Sequence, residues 1–234
     1  MSDNKRSVMA EEVSTSLLSS WVHRNSDLYL SAIRAPFIQS IRDGTLDLRL
    51  YTRWLGQDYL FVKEFCRFVA SVLTKAPESI GDEDLDILLG GLSSLQEELL
   101  WFRSQSIQWN TKFDRLSKHK ITEAYCSFLK QLTGPDIEFP VAISSFWAIE
   151  MVYNESFVTC LERDAKTQPE LLEACQRWGS KSFQEYCSSL KRIADRALAD
   201  APQEVVQKAE KLFREVLELE VAFWSMSFAS DCHL

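Results

Sequence analysis

Apolar residues recur at helical spacing along almost the whole chain, at i, i+3, i+4 and i+7, and this pattern predicts helices over 9–23, 26–41, 47–75, 83–110, 119–132, 140–163, 168–178, 181–199 and 203–229. Period-two alternation is not sustained anywhere, and no Asn-Gly or Asp-Gly pair sits between two alternating runs, so no strand or hairpin is expected. The helices are separated by their own punctuation: Asp43-Gly44, Ala76-Pro77, Gly134-Pro135 and Ala201-Pro202. Pro36 should kink or break the second helix, and Thr167 and Asp200 are candidate N-caps. The segment 139–160, FPVAISSFWAIEMVYNESFVTC, is apolar nearly all round and is expected at the centre of a bundle. The fold class this implies is all-α, a single-domain helical bundle. Residues 1–25 hold an N-terminal extension and the first helix, and 26–234 form the helical domain, within one compact unit.

Against this apolar background a few acids are out of place. Positions 51, 54, 55, 58, 61, 62, 65 and 69 trace one helical face on which Asp58 is the only charged residue. Glu220 occupies the same kind of slot among Phe213, Val216, Leu217, Phe223 and Trp224. Glu150 does so among Ile143, Phe146, Trp147, Tyr153 and Phe157, while Glu155 lies on another side of that helix with Met151, Val152 and Val158. A carboxyl buried without a partner costs several kcal/mol or stays protonated. Acids on the apolar faces of separate helices therefore suggest a shared internal polar pocket of the kind that performs acid–base chemistry. Pairing with buried Arg, Tyr or backbone groups for purely structural ends is the other reading of the same pattern.

Composition narrows the partners. The chain has 234 residues and a net charge of −8, a balance that disfavours phosphate backbones and anionic lipid, so neither nucleic acid nor membrane is an expected partner. Six cysteines, at 66, 126, 160, 175, 187 and 232, include no CxxC pair and read as reduced thiols. No apolar signal segment opens the sequence and no run is long enough to span a bilayer, which points by default to the cytoplasm. The three histidines, His23, His119 and His233, form neither ExxH nor HExxH, so a helical di-iron site in its usual form is excluded and a haem on His23 is disfavoured. P-loop, GxGxxG and GxSxG signatures are absent. No metal or organic cofactor is expected.

Two stretches around these acids carry a family resemblance. Residues 35–65, APFIQSIRDGTLDLRLYTRWLGQDYLFVKEF, look like the "HPF…I.DGTL…F..Y..QD..Y" block of the TenA family, also called thiaminase II. Residues 217–228, LELEVAFWSMSF, are similar to its "E..FW.MA" ending. The resemblance, over about 27–229, implies the haem-oxygenase-like bundle. It also implies that Asp58 holds the amidine edge of an aminopyrimidine, that Glu220 is the catalytic glutamate, and that Tyr125, Phe61 and Phe223 contact the ring, with Phe61 standing where many members have Tyr. Tyr153 and Glu155 on the central helix are further candidates for the substrate pocket.

The chief departure is on that central helix, where many members carry a nucleophilic Cys and this chain reads AISSFWAIEMVYNE. Ser145, Glu150 or Glu155 could stand in that slot. An acid without Cys resembles the glutamate branch of the family found in plants, sometimes called seed maturation proteins. The turn that carries another pocket tyrosine in the family also differs, reading RWGSKSFQEY over 177–186. The implied activity is salvage of the pyrimidine half of thiamin: hydrolysis of the aminomethylpyrimidine and its N-formyl derivative to hydroxymethylpyrimidine, with Glu220 exchanging protons with the amine and the water and Glu150 as a second acid or base. A non-catalytic binder of a pyrimidine or thiamin-like ligand and a helical scaffold or regulator are the alternatives. The resemblance further implies a homo-oligomer, dimer or tetramer.

Overall fold

A computed structural model describes residues 16–228, except the side chain of Asp114, and every regular element among them is helical. The early part of the expected first helix, together with Cys232 and His233, lies outside the described residues. Within them α1 spans Leu17–Arg24 and starts from a Ser16 N-cap, whose hydroxyl accepts the Ser19 amide and donates to Asp195.

The expected helix over 26–41 is two helices, α2 (Ser26–Ile33) and α3 (Pro36–Arg42). The proline ring forces Ala35 out of the helical region, to φ −54° and ψ 149°, and then serves as the first residue of the next helix. The turn after α3 depends on Gly44, at φ +69°, where a Cβ would run into the Lys166 carbonyl. Lys166 in turn donates its amide to Arg42 O at 2.6 Å, which ties this turn to the far end of the central helix.

The long elements follow the sequence pattern closely: α4 (Leu48–Lys75), α5 (Asp82–Gln108), α6 (Lys120–Leu132), α7 (Phe139–Thr159), α8 (Leu172–Gly179), α9 (Lys181–Ala199) and α10 (Gln203–Ser225). Asp47 caps α4 by accepting the Arg49 amide, and three acids, Asp82, Glu83 and Asp84, occupy the first turn of α5, where the helix dipole favours them. Both expected caps at 167 and 200 do otherwise. Thr167 donates its hydroxyl to Cys160 O at 2.6 Å, and the helix it was to begin starts as a single 3₁₀ turn at Pro169. Asp200 closes α9, and α10 starts after Pro202, whose fixed φ suits the position before a first turn.

The all-round apolar segment is α7, and it is the axle of the bundle, packed chiefly against α9 and α10 and also against α8 and α4. Aromatic rings fill the space around it. A file of indoles crosses the core: Trp101 lies 5.3 Å from Trp178, which lies 5.8 Å from Trp54, which lies 5.7 Å from Trp224. No helix among the described residues is long and apolar enough to cross a membrane.

Candidate active site

On α4 the inward face presents Trp54, Asp58 and Phe61 one turn after another, all buried. Asp58 is 0% exposed, and its Oδ1 accepts a 2.6 Å hydrogen bond from the Tyr153 hydroxyl on α7. Glu220 on α10 is likewise 0% exposed, and its Oε1 accepts a 2.6 Å bond from the Tyr125 hydroxyl on α6. Each acid thus has one oxygen fixed by a tyrosine. The other oxygen, Asp58 Oδ2 and Glu220 Oε2, is buried and has no hydrogen-bond partner among the described residues. A buried polar atom left so is rare and marks a place where something polar belongs.

Aromatic faces enclose the pair. Phe61 lies 4.6 Å from Tyr125 and 5.4 Å from Phe223 between ring centroids, and Tyr153 lies 5.0 Å from Trp224. Rings at such spacings pack directly against one another and make a continuous aromatic surround for the two acids.

A cavity of about 390 Å³ opens between α5, α7, α8 and α9, with Glu98, Glu150, Arg177, Trp178 and Tyr186 on its walls. Glu98 Oε1 accepts a 3.0 Å bond from the Trp178 indole N–H. The Arg177 guanidinium lies 4.9 Å from the Trp101 ring, a cation–π contact that steadies it. Tyr186 reaches the cavity over Gly91, and a Cβ at 91 would collide with its hydroxyl. That hydroxyl is buried and lacks a partner among the described residues.

The four carboxyls share one electrostatic environment. Burial lifts the Glu220 pKa to about 8, with the Tyr125 bond pulling the other way. Burial also pushes Asp58 well above the usual carboxylate range. Its bond from Tyr153 opposes that rise, and the nearby charges of Glu98 and Glu220 add to it. Glu150 is raised well above its ordinary value by burial, then by Glu98 and Glu220. Glu98 is raised to about 7 by burial, against the opposing Trp178 bond and the Arg177 charge. Among the described residues no cluster of three or more His, Cys, Asp or Glu side chains could hold a metal ion.

The structure therefore brings together Asp58, Glu220, Tyr125, Tyr153, Phe61 and Phe223, and it sets Glu150 beside them on the cavity side. Glu155 does not join. It is five residues from Glu150, so the helix turns it about 140° away. It accepts a hydrogen bond from Tyr29 in a separate cleft of about 720 Å³ with Lys191 and Cys187. Ser145 is buried and donates its hydroxyl to Val141 O at 2.9 Å, within its own helix.

Glu98 is the residue the sequence reading missed. It follows Gly91 and Leu95 and precedes Phe102 on the buried stripe of α5, the same pattern that exposes Asp58. The adjoining Glu97 disguised it as part of a solvated face. Tyr186 lies in the 177–186 turn where the family pattern breaks down.

The pattern of the TENA/THI-4/PQQC family matches residues 23–230. The chain belongs to this family. A soybean (Glycine max) relative of the TenA group, named "Probable bifunctional TENA-E protein", is 45% identical over 219 residues, covering 93% of this chain and 96% of its own length. Among solved structures, a TenA homologue from Pyrococcus furiosus superposes with a TM-score of 0.83 at 20% identity, over 90% of this chain and 99% of that one. A haem-oxygenase-like domain from Shewanella denitrificans superposes at 0.70 and 16% identity, over 93% and 98%. The fold of this TenA-family chain is thus the all-helical haem-oxygenase-like bundle.

Proposed function

We propose that the chain is a thiamin-salvage hydrolase that converts the aminomethylpyrimidine breakdown product of thiamin, and its N-formyl derivative, to hydroxymethylpyrimidine. The observation that carries this reading is the pair of wholly buried acids, Asp58 and Glu220, each held by a tyrosine at 2.6 Å, with its second oxygen unpartnered among the described residues and aromatic rings around it. The name of the soybean relative, with the word bifunctional, is in keeping with two hydrolytic activities.

In this reading Asp58 pairs with the ring nitrogen and exocyclic amine of the pyrimidine, and Phe61, Tyr125 and Phe223 cover its faces. Glu220, lifted to about 8, holds a proton at neutral pH and is the acid. Glu150 is the base. Burial, then the charges of Glu98 and Glu220, raise Glu150 as well. It acts as a base only while Glu220 keeps its proton, since two carboxyls in each other's field do not ionise alike. Water's oxygen bonds to the methylene carbon as the carbon–nitrogen bond breaks. Glu150 takes a proton from the water and Glu220 gives one to the departing amine, so hydroxymethylpyrimidine and ammonia leave. On the formyl compound water attacks the formyl carbon instead, and the amine and formic acid are the products. None of these steps uses a thiol. Thiamin itself, whose thiazole is displaced with the help of a covalent intermediate, should be cleaved weakly or not at all.

The test is a mass-spectrometric assay of the purified chain with the formylaminopyrimidine, the aminopyrimidine and thiamin given separately. Hydroxymethylpyrimidine from either of the first two, lost in Glu220→Gln, supports the reading. Wild-type turnover by Glu220→Gln, or no product accompanied by a ligand-induced rise in melting temperature, overturns it, the latter in favour of a binding protein.

A further inference from the structure

The proposed mechanism uses Asp58, Glu150 and Glu220 but leaves Glu98 without a task. Glu98, a half-buried residue, lies on the wall of the 390 Å³ cavity. One oxygen is fixed by the Trp178 indole. Arg177, the cation among the residues lining that cavity, acts on Glu98 through space without a hydrogen bond and lies against the Trp101 ring. On the same walls are Glu150 and Glu97, so acids outnumber cations there. A second, independent mark is the buried Tyr186 hydroxyl on the cavity wall, which lacks a partner among the described residues. Its approach is secured by the absence of a side chain at Gly91.

A partly open cavity with surplus carboxyl oxygens and an idle hydroxyl suits a compact group with several N–H donors and one positive charge. A primary ammonium supplies three donors and the compensating charge, whereas a neutral hydroxyl supplies one donor and no charge. We propose that this cavity is a subsite for a primary ammonium group, with Glu98 as the anion that receives it. On the function proposed above, that ammonium is the aminomethyl arm of the substrate as it arrives; it hands one proton to Glu98 and becomes the neutral amine that Glu220 then protonates. Glu98 then sets the preference for the amine over neutral analogues with the same ring.

The Trp178 indole N–H reports on Glu98 directly, so its proton–nitrogen NMR resonance is the readout. The full chain and Glu98→Gln, which keeps the side-chain shape and an oxygen for the indole, are titrated with methylammonium, with the aminomethylpyrimidine and with hydroxymethylpyrimidine. In the wild type the resonance should move with methylammonium, and the amine should bind more tightly than the alcohol. In Glu98→Gln the methylammonium response should vanish and amine binding should weaken by about 10- to 100-fold, with alcohol binding little changed. No response to methylammonium, or the same response in Glu98→Gln, overturns the subsite. A Glu98-dependent methylammonium response with no binding of either pyrimidine upholds the subsite and overturns the pyrimidine reading instead.

Discussion

The Tyr153 hydroxyl sits 2.6 Å from Asp58 Oδ1, and the two residues, on α7 and α4, are joined across the middle of the bundle by that single bond. Tyr125 and Glu220 repeat the arrangement between α6 and α10 at the same 2.6 Å distance. Two tyrosine–carboxyl clasps thus orient two acids whose remaining oxygens are buried without a partner among the described residues.

Removing one clasp separates stability from chemistry. Tyr153→Phe leaves both oxygens of a fully buried Asp58 unpaired, and the chain should lose about 1–3 kcal/mol of stability, read from urea denaturation. Asp58→Asn keeps the shape and a partner for Tyr153. It should melt within a few degrees of the wild type yet bind the aminopyrimidine about 10- to 100-fold more weakly by calorimetry.

Glu220→Gln should keep its bond from Tyr125, because an amide oxygen accepts as a carboxyl oxygen does, so the fold should hold. Turnover of the aminopyrimidine should fall by about 10²- to 10⁴-fold, the usual range for a lost general acid. Initial rates by mass spectrometry, beside a thermal melt of the same sample, check both halves.

The raised acids set the pH dependence of stability. Glu220, lifted to about 8, and Glu98, lifted to about 7, hold protons in the folded chain at pH values where the unfolded chain has released them. The folded state therefore binds more protons between the ordinary carboxylate range and about pH 8. The stabilisation is complete below that ordinary range and is lost as pH rises through 7 and 8. The unfolding free energy of the ligand-free chain, read from urea denaturation, should fall between pH 5 and pH 8 by roughly 1 kcal/mol per pH unit per group. Glu220→Gln should flatten the slope, and an unchanged slope would assign it to other groups.

Gly91→Ala places a Cβ against the Tyr186 hydroxyl, so the ring or α9 must shift. The variant should lose about 1–3 kcal/mol, as overpacking does. Tyr186→Phe in the same chain should return part of that loss, because it removes the atom struck first. A double-mutant cycle on melting temperatures measures the coupling.

The long helices were legible because their apolar faces repeat for many turns, and the same repetition exposed Asp58 and Glu220 as charges in apolar slots. Glu98 broke the rule for a local reason: Glu97 beside it made an inward carboxyl look like one more solvated charge. The sequence placed Glu150 and Glu155 on different sides of one helix but could not tell which side meets the other acids, since that helix is apolar all round and only the packing of α9 and α10 tells which face meets which neighbour. Thr167 and Asp200 had cap-forming side chains in plausible places, yet nearby prolines decided where those helices began.

The file of indoles from Trp101 through Trp178 and Trp54 to Trp224 has an optical consequence. Neighbouring ring centroids lie 5.3–5.8 Å apart at fixed mutual angles, with interplanar angles of 87°, 80° and 30° along the series. Chromophores held so close and so rigidly couple their transition dipoles, so the folded chain should give an intense, structured near-ultraviolet circular dichroism. Because Trp178 is also the indole bonded to Glu98, that spectrum carries a native optical record of the site, readable without any attached label.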